Sequence, residues 1–263
     1  MKNLTKNKTL LLGVSVILVL AILVILWPKP TGTFVWNKFK FADTALFLNR
    51  DSRLALEIGN YYFNVYQNGE YDLAKAKIYF EQALEIDPNT PDGWHQLARI
   101  DFLKGDFTEA LKKINKQIEI HGDSFMASFY IRGLISGYAG DYDQAKKDFK
   151  KFLSWDHNNW AALNDLAWIY FKKGDYKNAE NTAKIGLEIA PQNPWLLTAL
   201  GAALLNQNKK EEAQKAFIQA KSNVDLLTEM DWHKSYPGNN PNSAQKGLES
   251  MKETIIYNLS LVQ

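Results

Sequence analysis

The side chains that could do chemistry here are more suited to holding a partner than to turning over a substrate. The four histidines, His95, His121, His157 and His233, form neither an H-E-x-x-H pair nor another tight ligand spacing, so no metal site is expected. Cysteine is absent, which removes thiolate ligands, cysteine nucleophiles and disulfides. There is no G-x-S-x-G elbow and no glycine loop between a strand and a helix to cradle phosphate. Carboxylates are numerous but read as solvated helix faces. The chain is therefore expected to be no enzyme and to need no cofactor. One pattern does repeat. His95, Arg99 and Phe102 stand at i, i+4 and i+7, and Asn164, Trp168 and Phe171 share that spacing, which puts each trio on one helix face.

The elements that must position these faces show themselves as an internal repeat. Gly69-Glu70-Tyr71, Gly105-Asp106-Phe107, Gly140-Asp141-Tyr142 and Gly174-Asp175-Tyr176 each read as a turn, and the last three are 35 and 34 residues apart. An alanine follows in the next helical run: Ala76, Ala110, Ala145, Ala179 and Ala213. Before the turns, small and apolar residues recur at helical spacing, as in Leu97 and Ala98, Phe129 and Gly133, Leu163 with Leu166 and Ala167, and Leu197 with Gly201. Asp87-Pro88-Asn89 and Ala190-Pro191-Gln192 close two units, because proline cannot continue a helix.

Over residues 52–222 this arrangement resembles the tetratricopeptide repeat. The resemblance implies an all-α solenoid of about five helix-turn-helix units, at 57–90, 91–125, 126–159, 160–193 and 194–222. Some slots depart from the pattern. Asp101 stands where a later copy has Tyr170, Arg132 replaces a leucine, His121-Gly122-Asp123 replaces a proline turn, and the first helix could start as early as Asp51.

By the same resemblance, the second stripe of each first helix lines a concave groove for a protein or peptide segment. That stripe carries His95, Arg99 and Phe102; Tyr130, Leu134 and Tyr138; Asn164, Trp168, Phe171 and Lys172; then Trp195, Thr198 and Leu205. Aromatic anchors with a few donors suit an extended or helical segment. Packing between units is the competing reading for Tyr138, Trp168 and Trp195, and a solvated helix position is the competing reading for His95. The lysine-asparagine-arginine clamp by which some family members hold acidic chaperone tails is not carried over, because most matching slots here are aromatic or aliphatic.

Around the repeats, the 263 residues are 46% hydrophobic, as expected of a chain that buries a core. With 31 basic against 29 acidic residues, nucleic-acid binding driven by charge is not expected. All acidic residues lie beyond position 42. From Thr9 to Pro28 no residue is charged, and at about 1.5 Å per residue the run could cross a hydrocarbon layer of roughly 30 Å. No small-x-small cleavage site follows, so an uncleaved single-pass anchor is expected, with Lys2, Lys6 and Lys8 favouring an inside N-terminus and extracytoplasmic repeats. The expected organisation is a basic tail (1–8), a transmembrane anchor (9–28), a juxtamembrane linker (29–51), the solenoid (52–222), and a loop with a C-terminal capping helix (223–263). Phe34, Trp36, Phe39 and Phe41 in the linker suit either the membrane interface or a groove on the first repeat. Ser243 is expected to cap the final helix, whose stripe is Leu248, Met251, Ile255 and Leu259. The expected function is a membrane-anchored scaffold or adaptor. A holdase-like chaperone is the alternative, and an enzyme using the segment Asp231 to Pro241 is a lesser one.

Overall fold

The computed structural model describes residues 22, 24–64, 69–236 and 239–262. Most of the apolar run at 9–28 lies outside them, and among the described residues no helix is long and apolar enough to cross a membrane.

Five antiparallel helix pairs stack in sequence: α3 (Ser52–Tyr62) with α4 (Leu73–Ile86), α5 (Gly93–Leu103) with α6 (Phe107–His121), α7 (Ala127–Ala139) with α8 (Tyr142–Leu153), α9 (Trp160–Lys172) with α10 (Tyr176–Ile189), and α11 (Pro194–Leu205) with α12 (Lys210–Val224). They are preceded by α1 (Pro28–Phe39) and α2 (Ala42–Leu48) and followed by α13 (Glu229–Ser235) and α14 (Ala244–Ser260). First helices of successive units touch one another, α5 with α7, α7 with α9 and α9 with α11, whereas second helices share no comparable contact. The first helices therefore lie on the inside of the curve.

The turns explain the repeating fragment. Gly105, Gly140 and Gly174 sit at φ of 77°, 89° and 74°, a region that L side chains adopt only with strain. The aspartate that follows each one caps the next helix, Asp106, Asp141 and Asp175 accepting from the backbone N–H of Glu109, Gln144 and Asn178. The first unit is built differently. Gly69-Glu70-Tyr71 precedes the capping residue, which is Asp72, while Tyr71 bridges to Phe63. Asp51 caps α3, so that helix starts ahead of 57.

Pair spacing is set by matched volumes. A Cβ added to Gly201 would lie 2.5 Å from the ring of Phe217, and one on Gly133 would lie 3.0 Å from Phe149. Where the inner slot carries alanine instead, as at Ala98 and Ala167, the corresponding second-helix position holds Ile114 or Ala183. Ala76, Ala110, Ala145, Ala179 and Ala213 are buried throughout, where the helices meet.

The residues that depart from the repeat pattern are paired. Arg132 makes two 2.8 Å bonds to the buried carboxylate of Asp148, which also accepts from Gln144. Asp101 binds Lys113 across the second unit. Glu180 receives Lys184, Lys209 and Gln207; burial pushes its pKa up, but these donors prevail and hold it at about 2.

The two ends are closed by helices. In α1, Trp36 is buried edge-on against Tyr61 and its indole donates to Glu57, so this ring packs on the first repeat and not at a water boundary. Phe34, Phe39 and Phe41 remain exposed, Phe34 edge-on to Phe39 and Phe39 stacked on Phe41. At the other end, Ile255 of α14 buries against Ala220 and Val224 of α12, with Met251 and Leu259 beside it, and Leu248 is buried too, as the apolar stripe implies. Ser243 does not cap α14: its hydroxyl donates back to the carbonyl of Asn240.

The volume match predicts coupled stabilities. Gly201→Ala should cost about 1–3 kcal/mol in urea unfolding, and adding Phe217→Leu should give a double variant more stable than the two single losses summed. Strict additivity would show that the contact does not set the spacing.

Candidate binding groove

The concave face is lined by α5, α7, α9 and α11. Three rings, one from each of the first three of these helices, form a ladder along it: Phe102 meets Tyr138 at 5.3 Å between centroids, and Tyr138 meets Trp168 at 5.2 Å. Tyr138 is 60% exposed, so the ladder's central ring is open to a ligand. Trp168 is partly packed, its ring lying where a Cβ on Gly137 would stand, so this residue serves both unit packing and groove lining.

At the N-terminal end of the face, a polar chain runs from α5. Asp92 holds a left-handed backbone at φ 74° and accepts from Gln96 instead of capping its helix. Gln96 in turn accepts from Arg99, whose guanidinium lies 4.8 Å over the Phe63 ring. Burial raises the Asp92 pKa, with Gln96 and Arg99 opposing the shift.

Mid-groove, the hydroxyl of Tyr130 donates to Asp165 at 2.7 Å, joining α7 to α9, and Asn164 approaches the other oxygen at 3.5 Å. Burial lifts the Asp165 pKa to about 6 against these two donors. Burial and the Asp165 charge raise the pKa values of Tyr130, Tyr138 and Tyr236.

The C-terminal end of the face is occupied by the chain itself. Trp195 lies between Trp160, at 5.8 Å, and the tail residues Trp232 and Tyr236, at 6.0 and 6.2 Å. The tail ring fits because Gly247 leaves room, a Cβ there falling 2.2 Å from Trp232. Tyr236 is thus packed on the groove.

The remaining residues expected on the groove divide by environment. His95 is neither solvated nor on the open face. It is 6% exposed, with Nδ1 3.1 Å from the Ser128 hydroxyl and its ring edge-on to Phe125, because α7 and the turn before it close over it. Burial, with help from Arg99, lowers its pKa to about 3, so its approach to Asp92 is not an ion pair at neutral pH. Leu134 belongs to the core beside Phe149 and Leu166. Phe171 turns onto Tyr176, Lys172 is exposed at the end of α9, and the Thr198 hydroxyl donates to the Pro194 carbonyl. Asp165, Asp92, Trp160, Trp232 and Tyr236 are groove residues that the repeat pattern did not single out. One sign was available for Asp165, a carboxylate between Leu163 and Leu166 with no lysine or arginine one helical turn away.

The stacked pairs and their lined inner face define a helical-repeat solenoid. Tetratricopeptide repeat models match residues 138–189 and 70–90. Photosystem I assembly protein Ycf3 of Prochlorococcus marinus (strain NATL1A) is 30% identical over 147 residues, spanning 52% of this chain and 83% of that protein. The chain belongs to the tetratricopeptide-repeat family. Two other curated relatives are matched over only 18% and 54% of their own lengths. The fold is shared with PilW, a widely conserved type IV pilus biogenesis factor (TM-score 0.60, 19% identity, 80% of this chain and 97% of that one). It is also shared with YrrB, a TPR protein with an unusual peptide-binding site (TM-score 0.57, 16% identity, 78% and 98%).

The two shifted groups predict opposite pH slopes. His95 stays neutral in the fold down to about 3 but takes a proton near its ordinary 6.5 when unfolded. Its share of stability therefore falls by about 1.4 kcal/mol per pH unit on acidification between those values. Asp165, with a folded pKa of about 6 against an ordinary 3.8, contributes fully below the lower value and loses its contribution as pH rises through 6. In urea unfolding from pH 4 to 8, Asp165→Asn should gain most over the parent at pH 8 and least at pH 4. His95→Gln should lose less than the parent on acidification. Parallel curves for all three proteins would show that neither group is shifted.

Proposed function

We propose that the chain is a scaffold or adaptor, held at a membrane by the apolar run at 9–28, that docks a protein segment along the concave face from α5 to α9. The observation that carries the docking reading is the ring ladder Phe102, Tyr138 and Trp168. It presents one aromatic per unit on the inner face, with Tyr138 largely exposed, beside the polar groups of Arg99 and Asp165. Fold relatives that serve in assembly and biogenesis support a role in building or recruiting a complex. Trp195 is not part of the open surface in this reading, since the tail stacks on it. The membrane reading is supported by the twenty uncharged residues from Thr9 to Pro28, and the cluster Lys2, Lys6 and Lys8 before them favours repeats on the outer side.

A holdase shares this fold and would accept many apolar peptides where a scaffold prefers one sequence. Binding to an array of 12-residue peptides should therefore select a narrow set. Tyr138→Ala should reduce that binding at least tenfold while leaving the unfolding midpoint within about 0.5 kcal/mol of the parent, as expected of an exposed side chain. Broad apolar binding would favour the holdase, and binding indifferent to Tyr138→Ala would remove the groove as the docking site. Carbonate extraction with and without residues 9–28, and protease access in intact cells, test anchoring and sidedness; release of the full chain by carbonate would end the anchor reading.

A further inference from the structure

Several buried or half-buried carboxylates of this chain meet cations, and Asp165 in the groove does not. Asp148 has Arg132, Asp101 has Lys113, Glu180 has Lys184 and Lys209, and the Asp92 charge is opposed by Arg99. Asp165 has only neutral donors, the Tyr130 hydroxyl and a long contact from Asn164, and among the described residues no lysine, arginine or histidine forms an ion pair with it. A carboxylate offers about four acceptor positions, so at least two remain for a donor arriving from outside. Leaving a desolvated charge uncompensated is costly, and the cost is recovered when a cation arrives with its own hydrogen bonds.

The surroundings suit such an arrival. Tyr130 and Tyr138 approach from α7 and Tyr236 from the tail, close enough for the Asp165 charge to act on each of them. Tyr138 is exposed and stacked on Trp168, so its ring edges the opening. Aromatic faces attract cations, and a carboxylate behind them supplies the directional contact. Arginine and lysine have stems long enough to lie along the ladder while the charged end reaches down.

We propose that Asp165, walled by Tyr130, Tyr138 and Tyr236, is a subsite for a lysine or arginine side chain of the segment that docks in the groove. This rests on the groove reading above and specifies the chemistry of its occupant. The tail has a part in it: with Trp232 and Tyr236 stacked on Trp195, Tyr236 stands where the Asp165 charge acts on it.

The test is selection of a random 12-residue peptide library on the full chain in detergent micelles, repeated on Asp165→Asn and on Tyr138→Ala. The asparagine keeps an oxygen for the Tyr130 hydroxyl, so the fold is preserved while the charge is removed. The parent should enrich a basic residue at one position beside apolar ones, and Asp165→Asn should keep the apolar positions and lose the basic one. For a selected peptide measured by calorimetry, replacing its basic residue with Gln should weaken binding about tenfold on the parent and not on Asp165→Asn. Affinity for the basic peptide should also drop between pH 7.5 and 5, because the carboxylate takes up a proton there while Tyr130, Tyr138 and Tyr236 stay protonated throughout. Selection of apolar peptides with no basic position, abolished by Tyr138→Ala, would overturn the subsite and leave the groove. Selection unaffected by Tyr138→Ala, or no selection, would overturn both.

Discussion

Two helices approach only as closely as the side chains between them permit, and every other feature of this solenoid depends on that distance. Glycine at 133 and 201 lets the rings of Phe149 and Phe217 approach the partner backbone closely, while alanine at 98 and 167 faces a smaller second-helix residue. The residue that fills each contact changes from unit to unit, and a large ring on the second helix goes with a glycine on the first. Pairs closed in this way stack on one another, and the stacking keeps the first helices together on the inner side. A groove is the consequence of that geometry before any side chain in it is considered.

The same inner face has to meet two demands. Rings between units must fill space, and some must stay available to a ligand. His95 and Leu134 are taken by packing, Trp168 is divided between the two, and Tyr138 is left open. At the C-terminal end the tail covers part of the surface, stacking two rings on Trp195. An end unit has no neighbour to cover its apolar side, so α14 supplies the missing face on α12 and α13 stacks Trp232 on Trp195. The usable groove is therefore shorter than the repeat array.

Electrostatics follows a comparable division. Arg132 and Asp101, which break the apolar pattern of their slots, meet partners sixteen and twelve residues along the chain on the second helix of their own unit. Removing one member of such a pair would leave a buried charge uncompensated, at a cost of about 3–5 kcal/mol, so each pair fixes how its two helices meet. Asp165 lies instead across a unit boundary from Tyr130, 35 residues away, with its charge unanswered. That contrast separates a carboxylate that holds the fold from one facing the groove.

Much of this was legible in the residues alone. The 34- to 35-residue period, the turn glycines with their capping aspartates and the alanine series fix an all-helical array, because left-handed turn geometry, capping and close helix contact each tolerate few residue types. The stripe of the last helix likewise announced a cap, since a 3.6-residue period says which face is apolar. What local spacing cannot carry is which partner meets that face. That Gly69-Glu70-Tyr71 precedes its helix cap, that Ser243 leaves α14 uncapped, that His95 is shut in by Ser128 and Phe125, and that Trp232 and Tyr236 reach back to Trp195 all depend on contacts between residues up to 41 positions apart. Helical periodicity assigns a side chain to a face, and only the packed chain decides whether that face meets solvent, a neighbouring unit or the protein's own tail.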